Sequence, residues 1–161
     1  MTTPRPVHSS LTLAQASQIV DKALALGQQE KLLPLVVAVL DSGGNLVAFK
    51  RGDGSGVLRF DIAFGKAWGA LGMGLSGRGI RDRLGQRPAF QSAVAAASDG
   101  RFIPVPGGVL IVDGAGTAIG SVGISGDASD KDEYCAIAAI HAAGLASDPP
   151  EPAPNWREAG L

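Results

Sequence analysis

Cysteine is nearly missing from this chain: Cys135 stands alone among 161 residues. One thiol excludes an internal disulfide framework and fits a reducing compartment. No group of His, Cys and Asp residues has the spacing of a metal site, so a structural zinc is not expected. Aromatic residues make up only 5%, so a core has to come from aliphatic side chains and close backbone contact. The formal net charge is −1, which gives neither nucleic acid nor an anionic membrane a reason to bind. No apolar run approaches the roughly 20 residues of a membrane helix. The segment Met1 to Ser10 has no apolar stretch of the secretory kind. These absences together lead to the expectation of a cytoplasmic protein with no membrane and no nucleic-acid partner.

Glycine, by contrast, is plentiful, at 23 residues. It concentrates between Phe102 and Gly126, where the apolar runs Val109 to Val112 and Ala118 to Ile124 flank Asp113-Gly114-Ala115-Gly116. Short β-branched runs around an Asp-Gly turn predict a β-hairpin. Gly120 and Gly123 interrupt the second run, and glycine inside a strand marks a bulge or a close approach. With Pro106-Gly107-Gly108 at the hairpin's entry, these glycines suggest a pocket lined by backbone, although turns alone also require many of them.

The length suits one domain with its own core. Residues 1–10 carry two prolines and read as a flexible arm, 11–147 as the domain, and 148–161 as a proline-rich tail in which Trp156 could dock on a neighbouring subunit. Thr12 and Gln15 form a capping box for a helix over Leu13 to Leu26, with Gly27 as its stop. Leu35 to Leu40 is a buried strand, Asp41 to Asn45 a turn, and Leu46 to Lys50 a second strand. This hairpin echoes the one at 109–119; a duplication and merely shared turn chemistry both account for that. Leu58 to Met73 reads as a helix whose Gly65, Gly69 and Gly72 each cost about 1 kcal/mol, to be offset by close packing. Ser76 caps a basic segment to Leu84, Pro88 to Ala97 is helical, and Arg101-Phe102-Ile103 is a short strand. Ser129 caps a last helix, with Tyr134, Ile137, Ala138, His141 and Leu145 facing inward.

Four ordered motifs carry a family resemblance. They are Val39-Leu40-Asp41-Ser42-Gly43-Gly44-Asn45-Leu46-Val47, Asp61-Ile62-Ala63-Phe64-Gly65-Lys66-Ala67, Pro106-Gly107-Gly108-Val109, and Ile119-Gly120-Ser121-Val122-Gly123-Ile124-Ser125-Gly126 followed by Asp132-Glu133. Over Leu11 to Ala146 the chain resembles the GlcG/HbpS family (DUF336), which includes the C-terminal domain of PduO-type proteins. The resemblance implies an α/β (α+β) domain with an antiparallel sheet of about five strands flanked by helices, profilin-like or PAS-like. It further implies a homo-oligomer, dimer or octamer, and a small-molecule ligand, with heme as the possible cofactor. Leu110 stands where the family's Pro-Gly-Gly-Val-Pro has its second proline.

The residues offer several chemistries, each beside a plainer alternative. His141 could ligate heme or merely pack; His8 could do so only if the arm folds back or crosses to another subunit. Asp130 and Glu133, one helical turn apart, could hold a cation or compensate the helix dipole. Cys135 near that helix start could be a thiolate, which the adjacent carboxylates oppose. Lys66 could bind a carboxylate or propionate, as could Arg78, Arg81, Arg83, Arg87 or Arg101; a solvated basic face is the alternative. The expected ligand-binding set is Lys66, Arg101, Phe102, Pro106, Gly107, Gly108, Asp132, Glu133 and His141. Two functions follow: an oligomeric protein binding heme or another tetrapyrrole, or a small enzyme or accessory subunit acting on a carboxylated or aromatic metabolite. Lys66 and Glu133 would be the acid–base candidates of the second.

Overall fold

The aliphatic runs form the middle of a single five-stranded sheet. In the computed structural model, which describes residues 2–161, β1 (Val36–Asp41) and β2 (Leu46–Arg51) make the first hairpin, and β3 (Gly108–Val112) and β4 (Ala118–Ser125) the second. With β5 (Ala146–Asp148) the strand order is β2-β1-β4-β3-β5, and every neighbouring pair is antiparallel. The two hairpin turns are built alike. Asp41 Oδ1 accepts from the amides of Gly43 and Asn45, and Asp113 Oδ1 from those of Ala115 and Thr117, all at 2.9 Å. Each hairpin also shifts register just before its turn, at Val39/Leu40 and at Ile111/Val112.

Helices cover both faces. Helix α1 (Leu13–Gln29) begins with the expected capping box between Thr12 and Gln15. It does not stop at Gly27: Leu35 lies against that glycine where a side chain would be, so Gly27 serves packing and the helix continues to Gln29. With α5 (Ser129–Ala142) it buries Ile19, Val20, Ile137 and Ile140 on Val37, Val39, Val109, Ile111, Val122 and Ile124. The inner residues of α5 are Asp132, Glu133, Cys135, Ala136, Ile137, Ala139 and Ile140, one step round from the expected stripe. Sequence spacing could not show that its first turn points two acids inward. Nor does Ser129 cap it: the helix starts after Ala128, without a side-chain cap.

The other face carries α2 (Arg59–Met73), with Ala63, Ala67 and Ala70 fully buried. It lies almost on the sheet backbone. A Cβ on Gly123 would overlap the carbonyl oxygen of Ala63, and one on Gly108 that of Lys66. The glycines of α2 receive the 101–103 segment, Gly65 under Ile103 and Gly69 under Phe102, which is the close packing that offsets their helix cost. That segment is irregular rather than the expected short strand. Beyond it, α3 (Gly77–Leu84) starts with Ser76 Oγ accepting from Gly79 N at 3.2 Å, and α4 (Pro88–Ala97) follows with no fully buried residue.

The tail folds onto its own domain. Trp156, 6% exposed, stacks on Tyr134 with ring centroids 3.7 Å apart, and Arg157 pairs with Glu30 at 3.2 Å. The expected docking of Trp156 on another subunit is thereby replaced by a contact within the chain. No helix among the described residues is long and apolar enough to cross a membrane.

Candidate functional site

Helix α2 and the start of α5 meet at the end of the sheet, beside Pro106-Gly107-Gly108. Lys66 Nζ lies 3.0 Å from Asp132 Oδ2, with the two side chains 3% and 1% exposed. Asp132 Oδ1 accepts from the Asp127 amide at 3.1 Å. Burial pushes the Asp132 carboxyl up to about 6, and Lys66 opposes that rise. Gly107 has φ 103°, and a Cβ there would sit 2.9 Å from Lys66 Nζ and 3.1 Å from Asp132 Cβ. Glycine is required at that corner because the ion pair fills the room beside it. Four of the expected residues, Lys66, Gly107, Gly108 and Asp132, come together at this corner, packed around each other.

Glu133, fully buried, turns toward α3. Arg78 Nη2 stands 2.8 Å from Glu133 Oε2 but out of line for a hydrogen bond, so Oε2 has no hydrogen-bond partner among the described residues. Arg78 Nε donates to Oε1 at 3.3 Å, and Arg78 Nη2 also donates to the Glu151 carbonyl at 2.6 Å. Burial raises the Glu133 pKa, with Arg78 acting against it. Asp130 is half-buried and faces Arg81 Nη1 at 3.6 Å. Guanidinium groups thus stand where a cation held by Asp130 and Glu133, the lesser of the two readings of these acids, would be. Among the described residues, no three His, Cys, Asp or Glu side chains are grouped to hold a metal. Burial pushes the Cys135 thiol up to about 12, with Asp132 adding to the rise, which favours the protonated thiol over the thiolate.

An open concavity lies on the outer side of α2, toward α4. It is a cleft of about 200 Å³ whose walls include Trp68, Gly69, Met73, Val94 and Phe102. Arg101 lies across the Trp68 ring, 4.5 Å from its centroid, and donates from Nε to the Ser98 carbonyl at 3.0 Å. Arg101 and Phe102, expected at the corner, therefore belong to a different place from Lys66. The sequence reading missed Trp68, Met73 and Val94. The available signal was a tryptophan between glycines in a chain poor in aromatics. What such a cleft can do is hold a flat apolar ring between aromatic and thioether walls, with a cation at its rim for an anionic substituent.

The remaining candidates lie elsewhere. Pro106 is buried at the corner, where the preceding carbonyl rests on Gly77. His141 is exposed near the C-terminal end of α5, its Nε2 3.0 Å from Ser147 Oγ, which corrects its expected inward position. His8 is exposed in the arm. Arg83 is exposed on α3, and Arg87 lies over the Phe90 ring at 4.5 Å.

Comparison with known proteins bears on this geometry. The model of a family described as HbpS-like haem degrading protein matches residues 11–141. An uncharacterized 15.0 kDa protein in the dhaT-dhaS intergenic region of Citrobacter freundii is 29% identical over 132 residues, which are 82% of this chain and 91% of that one. The crystal structure of a PduOC:heme complex is 25% identical, with a TM-score of 0.75 over 84% of this chain and 96% of its own. The Klebsiella pneumoniae protein ORFY, of family DUF336, is 29% identical, with a TM-score of 0.72 over 89% and 97%.

Proposed function

Because this chain belongs to the family of HbpS-like haem degrading proteins, we propose that it binds haem or a related tetrapyrrole as a cytoplasmic homo-oligomer. The observation that carries this reading is its similarity, over most of both chains, to a protein solved with heme bound. The cleft beside Trp68 supports it in chemistry and limits it in size. Trp68 and Phe102 would lie against the macrocycle, Met73 and Val94 would exclude water from it, and Arg101 would pair with a propionate. When bound, haem supplies iron redox and ligand-binding chemistry.

A cleft of about 200 Å³ is smaller than the roughly 300–1,000 Å³ of ordinary small-molecule pockets. A second copy of the chain would therefore complete the enclosure, which is where the homo-oligomer enters. The alternative of acid–base work by Lys66 and Glu133 has less behind it. Both side chains are buried in ion pairs, and neither lines the cleft.

Titration of the purified protein with hemin, followed by absorbance and by sizing chromatography, tests the proposal. The expected result is a saturable Soret shift, binding tighter than to serum albumin, and elution above the monomer size. Absence of a Soret shift overturns the haem reading, and a monomer that saturates with haem overturns the shared enclosure.

A further inference from the structure

At the other end of α2, nine residues and roughly 14 Å along the helix axis from Trp68, a second hollow of about 190 Å³ opens. The glycine-rich loop supplies Gly54, Ser55 and Gly56 to its walls, the entry to β1 supplies Leu33 and Pro34, and the end of β4 supplies Gly126. Arg59 lines it too. Arg78, Arg81, Arg101 and Arg157 each face a carboxylate. Arg59 makes no ion pair among the described residues; Nη1 donates to the neutral, fully buried Ser125 Oγ at 3.3 Å. Arg59 is half-buried, and its planar fork keeps further N–H groups with which to donate to an oxyanion.

The acids nearby are not that acceptor. Asp127 takes the Leu33 amide at 2.9 Å and the Ala128 amide at 2.8 Å, and pairs with Lys131 at 3.4 Å. Asp53 and Asp61 are exposed and unpaired with Arg59. Gly56 leaves real space, since a Cβ there would meet nothing within 4 Å.

We propose that this hollow is an oxyanion site. It takes a small molecule with a carboxylate or phosphate head, gripped at two oxygens by Arg59, and with an apolar body resting on Leu33 and Pro34. The site is separate from the Trp68 cleft, toward the opposite end of α2, so it stands whether or not haem binds there.

Amide NMR titrations with butyrate and, separately, inorganic phosphate test it on the native protein. Saturable shifts of the Gly54, Gly56 and Gly126 amides are expected with at least one of the two anions, and the responding anion identifies the head group. Arg59→Met should weaken binding about tenfold or more, the scale of a lost charged hydrogen bond. Gly56→Leu, whose Cβ meets nothing within 4 Å, should abolish it by adding a side chain at the hollow's wall, and both variants should titrate with hemin as the native protein does. Shifts absent with both anions, or undiminished in Arg59→Met, overturn the proposal.

Discussion

The two faces of the sheet are built on opposite principles. Under α1 and α5, branched side chains interdigitate: Val37, Val39, Val122 and Ile124 against Ile19, Val20, Ile137 and Ile140. Under α2 the side chains between helix and sheet are fewer and mostly small, Val36 and Ala38 against Ala63, and Gly108 and Gly123 let backbone approach backbone. There Ser121 Oγ donates to the Ala67 carbonyl at 2.9 Å, and Lys66 reaches Asp132. A layer of side chains can yield by a rotamer change, whereas backbone against backbone has nothing to yield. The rigid face is also the one whose helix begins at Arg59 and carries Trp68 in its second half, so its close backbone packing holds the platform on which both concavities are built.

The contrast can be broken first at Gly123. Gly123→Val should cost more than about 3 kcal/mol, or prevent folding, because α2 must move bodily. Urea unfolding measures it, and a small loss would mean that the helix does not sit where described. Next comes Lys66→Met, expected to cost about 3–5 kcal/mol by leaving Asp132 as an uncompensated buried charge, while the double variant Lys66→Met/Asp132→Leu should recover most of the loss. Equal unfolding midpoints for the single and double variants would deny the pairing.

The buried acids then set a pH dependence. Asp132 titrates near 6 when folded and near 3.8 when unfolded, so between those values the native state holds more protons. Stability should fall as pH rises from about 4 to about 6, then level off. Glu133, also raised, acts in the same direction. Asp127 is lowered, and costs stability only as pH drops below its ordinary range. Thermal melts across this window should show that slope in the native protein and a flatter one in Asp132→Asn. On the yielding face, Ile137→Val should cost only about 0.5–1.5 kcal/mol; a larger loss there would erase the distinction between the faces.

Local chemistry was readable where it was self-contained. The capping box of Thr12 and Gln15, the Ser76 cap and the two turns that open on Asp41 and Asp113 involve residues within four positions of each other, and all formed as expected. The five-stranded antiparallel sheet followed from the family motifs. What depended on distant partners was misread. Gly27 looked like a stop because Leu35, which occupies its face, lies in another element. The inner stripe of α5 was misplaced because Asp132 and Glu133 are buried only by virtue of Lys66 and Arg78, which lie on α2 and α3. The Trp68 cleft was invisible for the same reason: its walls come from α2, α4 and the 101–103 segment, and no single stretch of chain contains it.

Hemin affinity of Trp68→Ala beside that of the native protein tests most directly whether the outward side of α2 is where a tetrapyrrole rests. Loss of an aromatic wall should weaken binding about tenfold, the scale of a ring contact with its buried area, while the fold, held from the other side of α2, keeps its unfolding midpoint. Identical affinities in the two proteins would contradict the account.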